Sequence, residues 1–476
     1  MVQQSLNTAA KKAGTWYTIG NFVLKGCAFL SLPFFTKLLS TVDFGIYNTY
    51  IAYEGILAAI LGLGFYGTIK NAKIKYANDF DGYVSSIFSF SCIFFILIIA
   101  FSNIFYPLYS HFLGYSRLIV NILVCQSFGT ALLQIYSAKL NMQFKYKSFL
   151  AFSFANTIGN IVLSFLLILF VFNTNNKYLG RIVGTAAPLI LIGLIILVIS
   201  FAGGKRLVSS KYWKYALRLG LPLLPHVIAQ SLLSQVDRIM ISNYVGESEA
   251  GIYSFIYTLC TILAVVATSL DNAWTPWVYI KNSSSEQKAI RQPGNAYLLF
   301  FALITLGFVC VMPEVARLFG ANDYLVGIDL IIPLSLANFF IFAYFLPVNI
   351  EYYNNKTLFI SIGTVLAALL NLVLNYLFIH LFGYKGAAYT TLISYFLLFF
   401  VHCLISRKYG FMKLYDFKYI LFISLSLVLI SFAILRLYDT QMVGSIFIRY
   451  IVAFLIIVFV VIKYKQYVPM RQKQKS

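Results

Sequence analysis

The feature that most constrains this chain is a succession of apolar runs, each about 20 residues or longer, separated by short polar segments. A helix needs about 20 residues to cross the ~30 Å hydrocarbon core of a bilayer, so each run is long enough to span a membrane once. Only 11% of the 476 residues are charged, whereas soluble domains carry about 25%. The sequence therefore predicts an all-α polytopic membrane protein with little mass outside the bilayer.

Apolar windows predict about fourteen transmembrane helices. The predicted spans cover residues 16–39, 44–69, 83–107, 116–138, 148–172, 179–202, 215–242, 250–279, 295–319, 327–350, 357–381, 386–406, 417–436 and 443–462. The connections between these windows are short, and none is long enough for a catalytic domain. We therefore expect a membrane-embedded bundle of helices and no separate soluble domain.

Lysine and arginine are distributed unevenly over the two sets of alternate connections. With the N-terminus in the cytoplasm, the cytoplasmic segments hold 25 of the 36 basic residues and the opposite side holds six. Those six are Arg117, Lys177, Arg181, Arg317, Lys385 and Arg436. Since basic residues accumulate on the cytoplasmic side, this asymmetry predicts cytoplasmic termini and an even number of spans. The net charge of +21 then reflects topology, and no nucleic-acid partner is expected.

Short motifs recur at one offset of 206 residues. Asp43-Phe-Gly-Ile-Tyr47 returns as Glu249-Ala-Gly-Ile-Tyr253, and Tyr178-Leu-Gly180 returns as Tyr384-Lys-Gly386. Because the offset contains six predicted spans, the two halves enter the membrane in the same orientation, as in parallel-repeat transporters. The sequence therefore predicts two parallel six-helix bundles, residues 1–204 and 205–410. An appended helix pair with a basic cytoplasmic tail follows over 411–476.

Prolines interrupt the leading helix of each predicted half. Pro33 lies in the first span, and Pro222 and Pro225 lie in the seventh. Interruptions at corresponding positions of two repeats point to the substrate path, so these three residues are candidate hinge positions. The alternative is that the prolines only kink their helices, which membrane proteins tolerate.

The segment Pro33 to Tyr47, which reads PFFTKLLSTVDFGIY after a lysine-rich N-terminus, resembles the opening of a known family. That family is the Wzx-type O-antigen and polysaccharide flippases of the multidrug/oligosaccharidyl-lipid/polysaccharide exporter superfamily. Length, predicted spans and parallel halves extend the resemblance over the whole chain.

The resemblance implies a function. A Wzx-type protein translocates an undecaprenyl-pyrophosphate-linked oligosaccharide, such as an O-antigen repeat unit, from the cytoplasmic to the periplasmic leaflet of the bacterial inner membrane. Its role is in lipopolysaccharide and other polysaccharide biosynthesis, and its mechanism is alternating access driven by an ion gradient, as in an antiporter. The resemblance implies no enzymatic activity, no cofactor other than Na⁺ or H⁺ as coupling ion, and a polymerase and a chain-length regulator as candidate partners.

Ionisable residues inside the predicted spans are candidates for a cationic substrate cavity. Each costs at least ~2.5–3.5 kcal/mol to insert and so faces a cavity or a partner. Lys25, Arg218 and Arg238 are cations that would attract a pyrophosphate, and Glu54 lies in the second span. Two alternatives stay open: Lys25 pairs with Glu54, and Arg218 extends to the cytoplasmic boundary.

A second set of residues is a candidate ion-coupling site. Asp237 lies in span seven, Asn371 and Asn375 share one face of span eleven, and Thr391 lies in span twelve. The set is similar to the cation site of lipid II flippases, except that Asn375 stands where that family has an acid. The alternative is interhelical hydrogen bonding, worth about 0.6 kcal/mol for each bond. The four histidines are too dispersed for a metal site, and none is expected.

Two other classes of protein compete with the flippase. A drug or organic-cation exporter of the same superfamily would have an acid-rich cavity, whereas the acids in these spans are matched by Lys25, Arg218 and Arg238. A polysaccharide polymerase, ligase or glycosyltransferase would carry catalytic residues in a long outer loop. The outer loops here are short, and no catalytic motif is present in the sequence.

Overall fold

The computed structural model describes residues 2–172, 176–284, 287–438 and 443–473, and over these ranges the chain contains helices and no β-strand. The chain forms two compact units, Met1–Gly251 and Ile252–Ser476. The predicted all-α fold is confirmed.

The first unit contains ten helices within the described ranges. They are α1 (Val2–Leu38), α2 (Thr41–Leu61), α3 (Phe65–Lys75), α4 (Phe80–Ile104), α5 (Tyr106–Leu113), α6 (Arg117–Met142), α7 (Tyr146–Phe170), α8 (Lys177–Gly204), α9 (Ser210–Gly220) and α10 (Leu224–Tyr244). The main apolar core lies between α3, α4, α6, α8 and α9, where Phe65, Tyr83 and Phe88 are fully buried. Helix α6 packs on α2, α3, α4 and α8, and α10 packs on α2.

The next helix, α11 (Glu247–Ser283), begins in the first unit and continues into the second. The helices that follow it are α12 (Lys288–Phe319), α13 (Ile331–Tyr353), α14 (Thr357–Phe382), α15 (Tyr384–Arg407), α16 (Phe411–Leu414), α17 (Phe417–Leu435) and α18 (Val443–Lys473). A short 3₁₀ helix, Asn322–Leu330, precedes α13. Helix α13 is the centre of this unit, because it is buried along most of its length and packs on α12, α14 and α15. Helices α17 and α18 both pack on α12.

Eleven helical segments of the described chain are long and apolar enough to cross a membrane. The pair α9 and α10 makes a twelfth if it is one bent span, and the apolar part of α18, Gly444–Val460, is shorter. A multi-pass membrane protein is therefore confirmed. Every predicted window overlaps a helix, but the count of fourteen spans is not confirmed. Helix α1, many of whose side chains lie outside the described residues, is not among the eleven.

The repeated motifs occupy equivalent places in the structure. Asp43-Phe-Gly-Ile-Tyr47 lies in the first turns of α2 and Glu249-Ala-Gly-Ile-Tyr253 in the first turns of α11. Tyr178 and Tyr384 likewise stand at the first turns of α8 and α15. The compact units divide after residue 251, not after residue 204, because α10 packs on α2 of the first unit. The repeat-based division at 204, 410 and 476 describes sequence relatedness and stays a prediction, and its last residues, 474–476, lie outside the described residues.

Two repeat-equivalent glycines bring the beginnings of α2 and α11 into backbone contact. A Cβ on Gly45 would lie 1.7 Å from the Glu247 carbonyl oxygen, and a Cβ on Gly251 would lie 2.0 Å from the Thr41 carbonyl oxygen. Beside this contact the hydroxyl groups of Thr41 and Ser248 are hydrogen-bonded at 2.8 Å. Only glycine permits two helix backbones to approach so closely.

Candidate functional site

The predicted cationic residues lie in different environments of the first unit. Lys25 on α1 and Arg218 on α9 are exposed, and neither forms an ion pair with any described residue. Arg238 on α10 is buried and donates hydrogen bonds to the Ser234 carbonyl oxygen, at 3.1 Å, and to the Gln235 side chain. Lys25 and Arg218 are thus the two predicted cations left open to an anionic group.

Glu54 on α2 is buried and bonded to α6. Its Oε1 accepts a hydrogen bond from Thr130 Oγ1 at 2.5 Å, and its carbonyl oxygen accepts one from Ser127 Oγ at 3.3 Å. The alternative in which Lys25 pairs with Glu54 is not observed in the described part of the chain. The place of Glu54 in a substrate cavity stays a prediction.

The sequence analysis missed Arg181. It was counted with the basic residues of the outer side, although the predicted span 179–202 already contained it, and it lies in the first turns of α8. Its guanidinium donates to Asn160 Oδ1 at 2.6 Å and to Ser164 Oγ at 2.8 Å, both on α7, and lies 3.8 Å from the Phe35 ring centroid. No carboxylate of the described residues lies within ion-pair distance. The only signal in the sequence was the i,i+4 spacing of its two polar partners, Asn160 and Ser164, on the fifth predicted span.

Two of the three predicted hinge residues, Pro222 and Pro225, lie at an observed break between two helices. Helices α9 and α10 are bent by 51° at a break that contains Pro222, and Pro225 stands in the first turn of α10. Pro33, by contrast, lies inside the continuous helix α1. Breaking of span seven is therefore observed, and a hinge function for the three prolines stays a prediction.

A second break, which the sequence analysis did not predict, separates α2 from α3. Gly64 has a φ of +66° there, and a Cβ at this position would lie 2.6 Å from the Gly220 carbonyl oxygen at the end of α9. Helices α3 and α9 pack together beyond the two breaks. Two interrupted spans of the first unit therefore meet at their kinks.

Three of the predicted ion-coupling residues lie in the second unit, where α14 and α15 face each other. Asn375 Nδ2 donates to Asn371 Oδ1 at 3.2 Å, Asn371 Nδ2 donates to Ser394 Oγ at 3.3 Å, and Thr390 Oγ1 donates to Asn375 Oδ1. Both asparagines are fully buried, and Thr391 is buried one residue beyond Thr390. The structure therefore brings Asn371 and Asn375 into one hydrogen-bonded network and adds Thr390 and Ser394 to it.

The fourth predicted ion-coupling residue, Asp237, belongs to the first unit. It lies on α10 and is buried, with 1% of its surface exposed. Because a buried carboxylate needs a partner or a bound cation, its burial is compatible with the predicted role. The complete four-residue site stays a prediction.

The end of α11 carries a polar and aromatic cluster that the sequence analysis did not assign. Asp271 Oδ1 accepts hydrogen bonds from Asn349 Nδ2 at 2.7 Å and Thr275 Oγ1 at 2.9 Å. The Trp274 ring stacks on Tyr297, with ring centroids 4.3 Å apart. Half-buried aromatic rings beside a hydrogen-bonded carboxylate are suited to sugar rings and their hydroxyl groups.

A cavity of about 340 Å³ lies between α4, α6 and α8 of the first unit. Its walls are apolar side chains and glycine backbone, among them Phe95, Phe128, Gly129, Gly193 and Leu194. None of the predicted cationic residues contributes to its wall. The cavity suits a hydrocarbon chain and not a sugar or a pyrophosphate.

A buried acid–histidine pair in the second unit was also missed. Glu351 on α13 and His402 on α15 are both fully buried and are hydrogen-bonded to each other. The predicted tenth span ended at residue 350, which placed Glu351 in a loop, whereas α13 continues to Tyr353. His402 was considered only as one of four dispersed histidines.

The fold matches transporters of the MOP superfamily. An inward-closed structure of the lipid II flippase MurJ aligns with a TM-score of 0.73 and 19% identity over 95% of this chain and 99% of that chain. An inward-facing multidrug resistance MATE family transporter of the MOP superfamily aligns with a TM-score of 0.63 and 15% identity, covering 81% of this chain and 93% of that chain. At these identities the likeness establishes the fold alone.

Sequence comparison gives the family. Residues 10–279, more than half of the chain, match the family model described as polysaccharide biosynthesis protein, and the chain belongs to that family. Two proteins of Haemophilus influenzae are similar. One, from the Lsg locus, is 22% identical over 74% of this chain and 87% of its own length, and the other, a membrane protein, is 23% identical over 76% and 88%.

Proposed function

We propose that this protein translocates an undecaprenyl-pyrophosphate-linked oligosaccharide, such as an O-antigen repeat unit, from the cytoplasmic to the periplasmic leaflet of the bacterial inner membrane. It is a transporter and not an enzyme, it works by alternating access, and it serves lipopolysaccharide or related polysaccharide biosynthesis. The observation that carries the proposal is family membership joined to a fold shared with a flippase over almost the whole chain.

The environment of the charged residues supports an anionic substrate. Lys25, Arg218 and Arg181 are cations with no ion-pair partner among the described residues. A pyrophosphate carries two or more negative charges, and arginine binds phosphate oxygens through paired N–H donors. The apolar cavity between α4, α6 and α8 of the first unit is suited to a lipid chain, and the aromatic cluster around Trp274 in the second unit is suited to sugar rings.

A second candidate is a drug or organic-cation exporter, which the MATE fold likeness favours. An organic cation would require uncompensated acids in the transport path. In the described chain, Glu54 is bonded to Thr130, and Asp271 is bonded to Asn349 and Thr275. Neither acid forms an ion pair with a described residue, so both could serve an organic cation, and it is family membership that favours the lipid-linked anion.

Deletion of the gene in the parent strain tests the proposal. We expect surface polysaccharide to disappear while single repeat units accumulate on the carrier lipid in the cytoplasmic leaflet. Repeat units that accumulate facing the periplasm would place the block in the polymerase or chain-length regulator, the proposed partners, and would refute the flippase. Unchanged polysaccharide with greater sensitivity to cationic drugs would establish the exporter.

The same strain tests the cationic residues. Arg181→Gln should reduce surface polysaccharide at least tenfold, because hydrogen bonds from this half-buried guanidinium to a phosphate are worth about 1.5–3 kcal/mol. Arg117→Gln is the matched control, since Arg117 is an exposed arginine that lies over the Tyr106 ring. Equal polysaccharide in both variants would remove Arg181 from the proposed substrate path.

Ion coupling is part of the proposal, with Na⁺ or H⁺ held by Asp237, Asn371, Asn375 and Thr391. Asp237→Asn should abolish gradient-driven translocation because it removes the only carboxylate of this set. Ser234→Ala, one turn earlier on α10, is the control. Translocation by Asp237→Asn that still responds to a Na⁺ or H⁺ gradient would place the coupling ion elsewhere.

A further inference from the structure

Glu351 and His402 form an ionisable pair in the interior of the second unit. His402 Nδ1 lies 2.9 Å from Glu351 Oε1 and 3.0 Å from Oε2, and neither side chain is exposed. The pair joins α13 to α15, 51 residues apart in the sequence. Two groups that ionise in water are thus held together in a span, where an isolated charge is strongly disfavoured.

The titratable groups described around this pair are two tyrosines, a cysteine and Lys356, whose amide donates to the Glu351 carbonyl oxygen at 2.8 Å and whose ammonium lies over the Tyr409 ring. On α13 the neighbouring titratable groups are Tyr344, whose ring contacts the imidazole edge-on at 5.1 Å, and Tyr352. On α15 the neighbour is the Cys403 thiol. On α14 the facing residues are Gly363 and Thr364, which do not titrate.

The second imidazole nitrogen points at α14. His402 Nε2 is buried and has no hydrogen-bond partner among the described residues. A Cβ on Gly363 would lie 2.4 Å from Nε2, so the ring packs directly against the backbone of α14, where only glycine leaves room for it. A proton bound to Nε2 would therefore lie directly against the backbone of a third helix, α14.

The proton balance of the pair makes this contact sensitive to proton binding. Without the extra proton, Nδ1–H donates to the Glu351 carboxylate, Nε2 carries only a lone pair, and the net charge is −1. With it, the net charge is zero, and the pair is either imidazolium with carboxylate or neutral imidazole with carboxylic acid. In the imidazolium form, and in the neutral form in which the carboxylic acid O–H donates to Nδ1, Nε2 carries a hydrogen, which needs an acceptor that α14 does not offer in this arrangement.

We propose that Glu351 and His402 are a proton-binding site that couples the proton gradient to movement of α14 against α13 and α15. Binding of a proton converts Nε2 from a lone pair into a donor and favours an arrangement in which a carbonyl group of α14 or a water molecule accepts it. The inference rests on the proposed function of a gradient-driven transporter. It names a site separate from the Asp237 set and a specific coupling ion.

Infrared spectroscopy of the full-length protein in proteoliposomes tests proton binding directly. Between alkaline and acidic buffer, we expect the signals of the carboxyl group and the imidazole ring to change together. Glu351→Gln and His402→Gln should each remove this coupled change. Asp329→Asn, which removes a carboxylate paired with Lys385 at 2.6 Å, should leave it unaltered.

A double variant keeps the test independent of folding. Glu351→Gln with His402→Gln replaces the pair by two neutral amides that can bond each other, so the chain should fold and show no titration. Retention of the coupled titration in this variant, or in Glu351→Gln, would overturn the proposal.

A translocation assay distinguishes failure of the proton-binding site from failure of the proposed function. Wild-type protein should translocate a lipid-linked oligosaccharide with a rate that a proton ionophore lowers, and Glu351→Gln should lose the response to the ionophore. A Glu351→Gln variant that keeps the wild-type rate and response would overturn the proton site alone. Wild-type protein that shows the titration but moves no lipid-linked oligosaccharide would overturn the proposed function.

Discussion

Arg449 on α18 is a fully buried arginine whose charge is balanced by a carboxylate on a neighbouring helix. Its Nη2 lies 2.5 Å from Glu314 Oε1 and its Nη1 lies 3.0 Å from Glu314 Oε2, which is a two-bond pairing of guanidinium with carboxylate. Nη1 also donates to the Cys310 carbonyl oxygen at 2.9 Å. The pair joins the appended helix α18 to α12.

Removal of one partner of this pair should destabilise the protein strongly. Arg449→Met leaves the Glu314 carboxylate without its buried partner and should cost about 3–5 kcal/mol, whereas Arg449→Met with Glu314→Gln should recover most of that loss. Thermal unfolding in detergent, followed by tryptophan fluorescence, measures both. Arg317→Met, which removes a more exposed arginine from Glu314, is the control and should cost at most about 1 kcal/mol. Equal losses in Arg449→Met and the control would contradict the prediction.

The stability of the protein should depend on pH through the single residue Asp416. Arg291, whose Nη2 lies 2.7 Å from the carboxylate, and the Tyr419 amide at the start of α17 hold the pKa of Asp416 below its usual range. The folded protein therefore favours the ionised form. The resulting stabilisation is fully present above the usual pKa of about 3.9 and is lost as the pH falls through the lower folded value.

Asp416→Asn should consequently lower the unfolding temperature slightly at neutral pH, by an amount equivalent to less than about 1 kcal/mol for this exposed pair. Asparagine still caps the helix, so only the charge is removed. In unfolding scans at successively lower pH, the difference between the two proteins should shrink once the pH falls below about 3.9. A difference that stays constant over that range would show that the charge of Asp416 is not responsible.

At the level of elements, a close backbone contact joins the repeat-equivalent helices α2 and α11, whereas the breaks after α2 and α9 have no counterpart in α11 and α1, which are continuous. The glycine contact between α2 and α11 joins equivalent motifs, and the breaks after α2 and α9 meet at Gly64 and Gly220. Glycine at these positions permits backbone contact, and Pro222 removes a donor where α9 ends. These are the elements that a transporter can bend without unfolding.

Gly45→Ala tests the α2–α11 contact. The added methyl group would overlap the Glu247 carbonyl oxygen, so the helix ends must separate, at a cost of about 1–3 kcal/mol or more. Gly307→Ala on α12, where no atom lies within 4 Å of the added carbon, is the matched control and should be neutral or stabilising. Unfolding temperatures compare the two, and an undiminished stability of Gly45→Ala would exclude a tight contact.

For the molecule as a whole, the lengths of the apolar runs and the distribution of basic residues predict how the chain is oriented in the membrane. The 25 to 6 distribution of basic residues predicts that both termini and every second connection face the cytoplasm. Ser116 is the first residue of the fourth predicted span, at its outer end, Ser283 stands in a predicted cytoplasmic connection, and both are exposed.

Single-cysteine labelling tests this topology. After replacement of the six native cysteines, an impermeant maleimide should label Ser116→Cys from the periplasmic side of spheroplasts, and Ser283→Cys only after permeabilisation. Labelling of both from the same side would refute the predicted number of intervening spans. Labelling of Ser283→Cys alone would reverse the orientation.

The sequence was sufficient to predict the membrane-protein class and the positions of the helices, because apolar length is a property of neighbouring residues, whereas the repeat-based division stays a prediction. The sequence also marked Asn371 and Asn375 as partners, since an i,i+4 spacing places both on one helix face. Which polar groups meet across helices became known from the packing, which pairs Glu351 with His402 and Arg449 with Glu314. These contacts join residues that are far apart in sequence. Interhelical packing alone selects them, so hydropathy and spacing carry no signal of them.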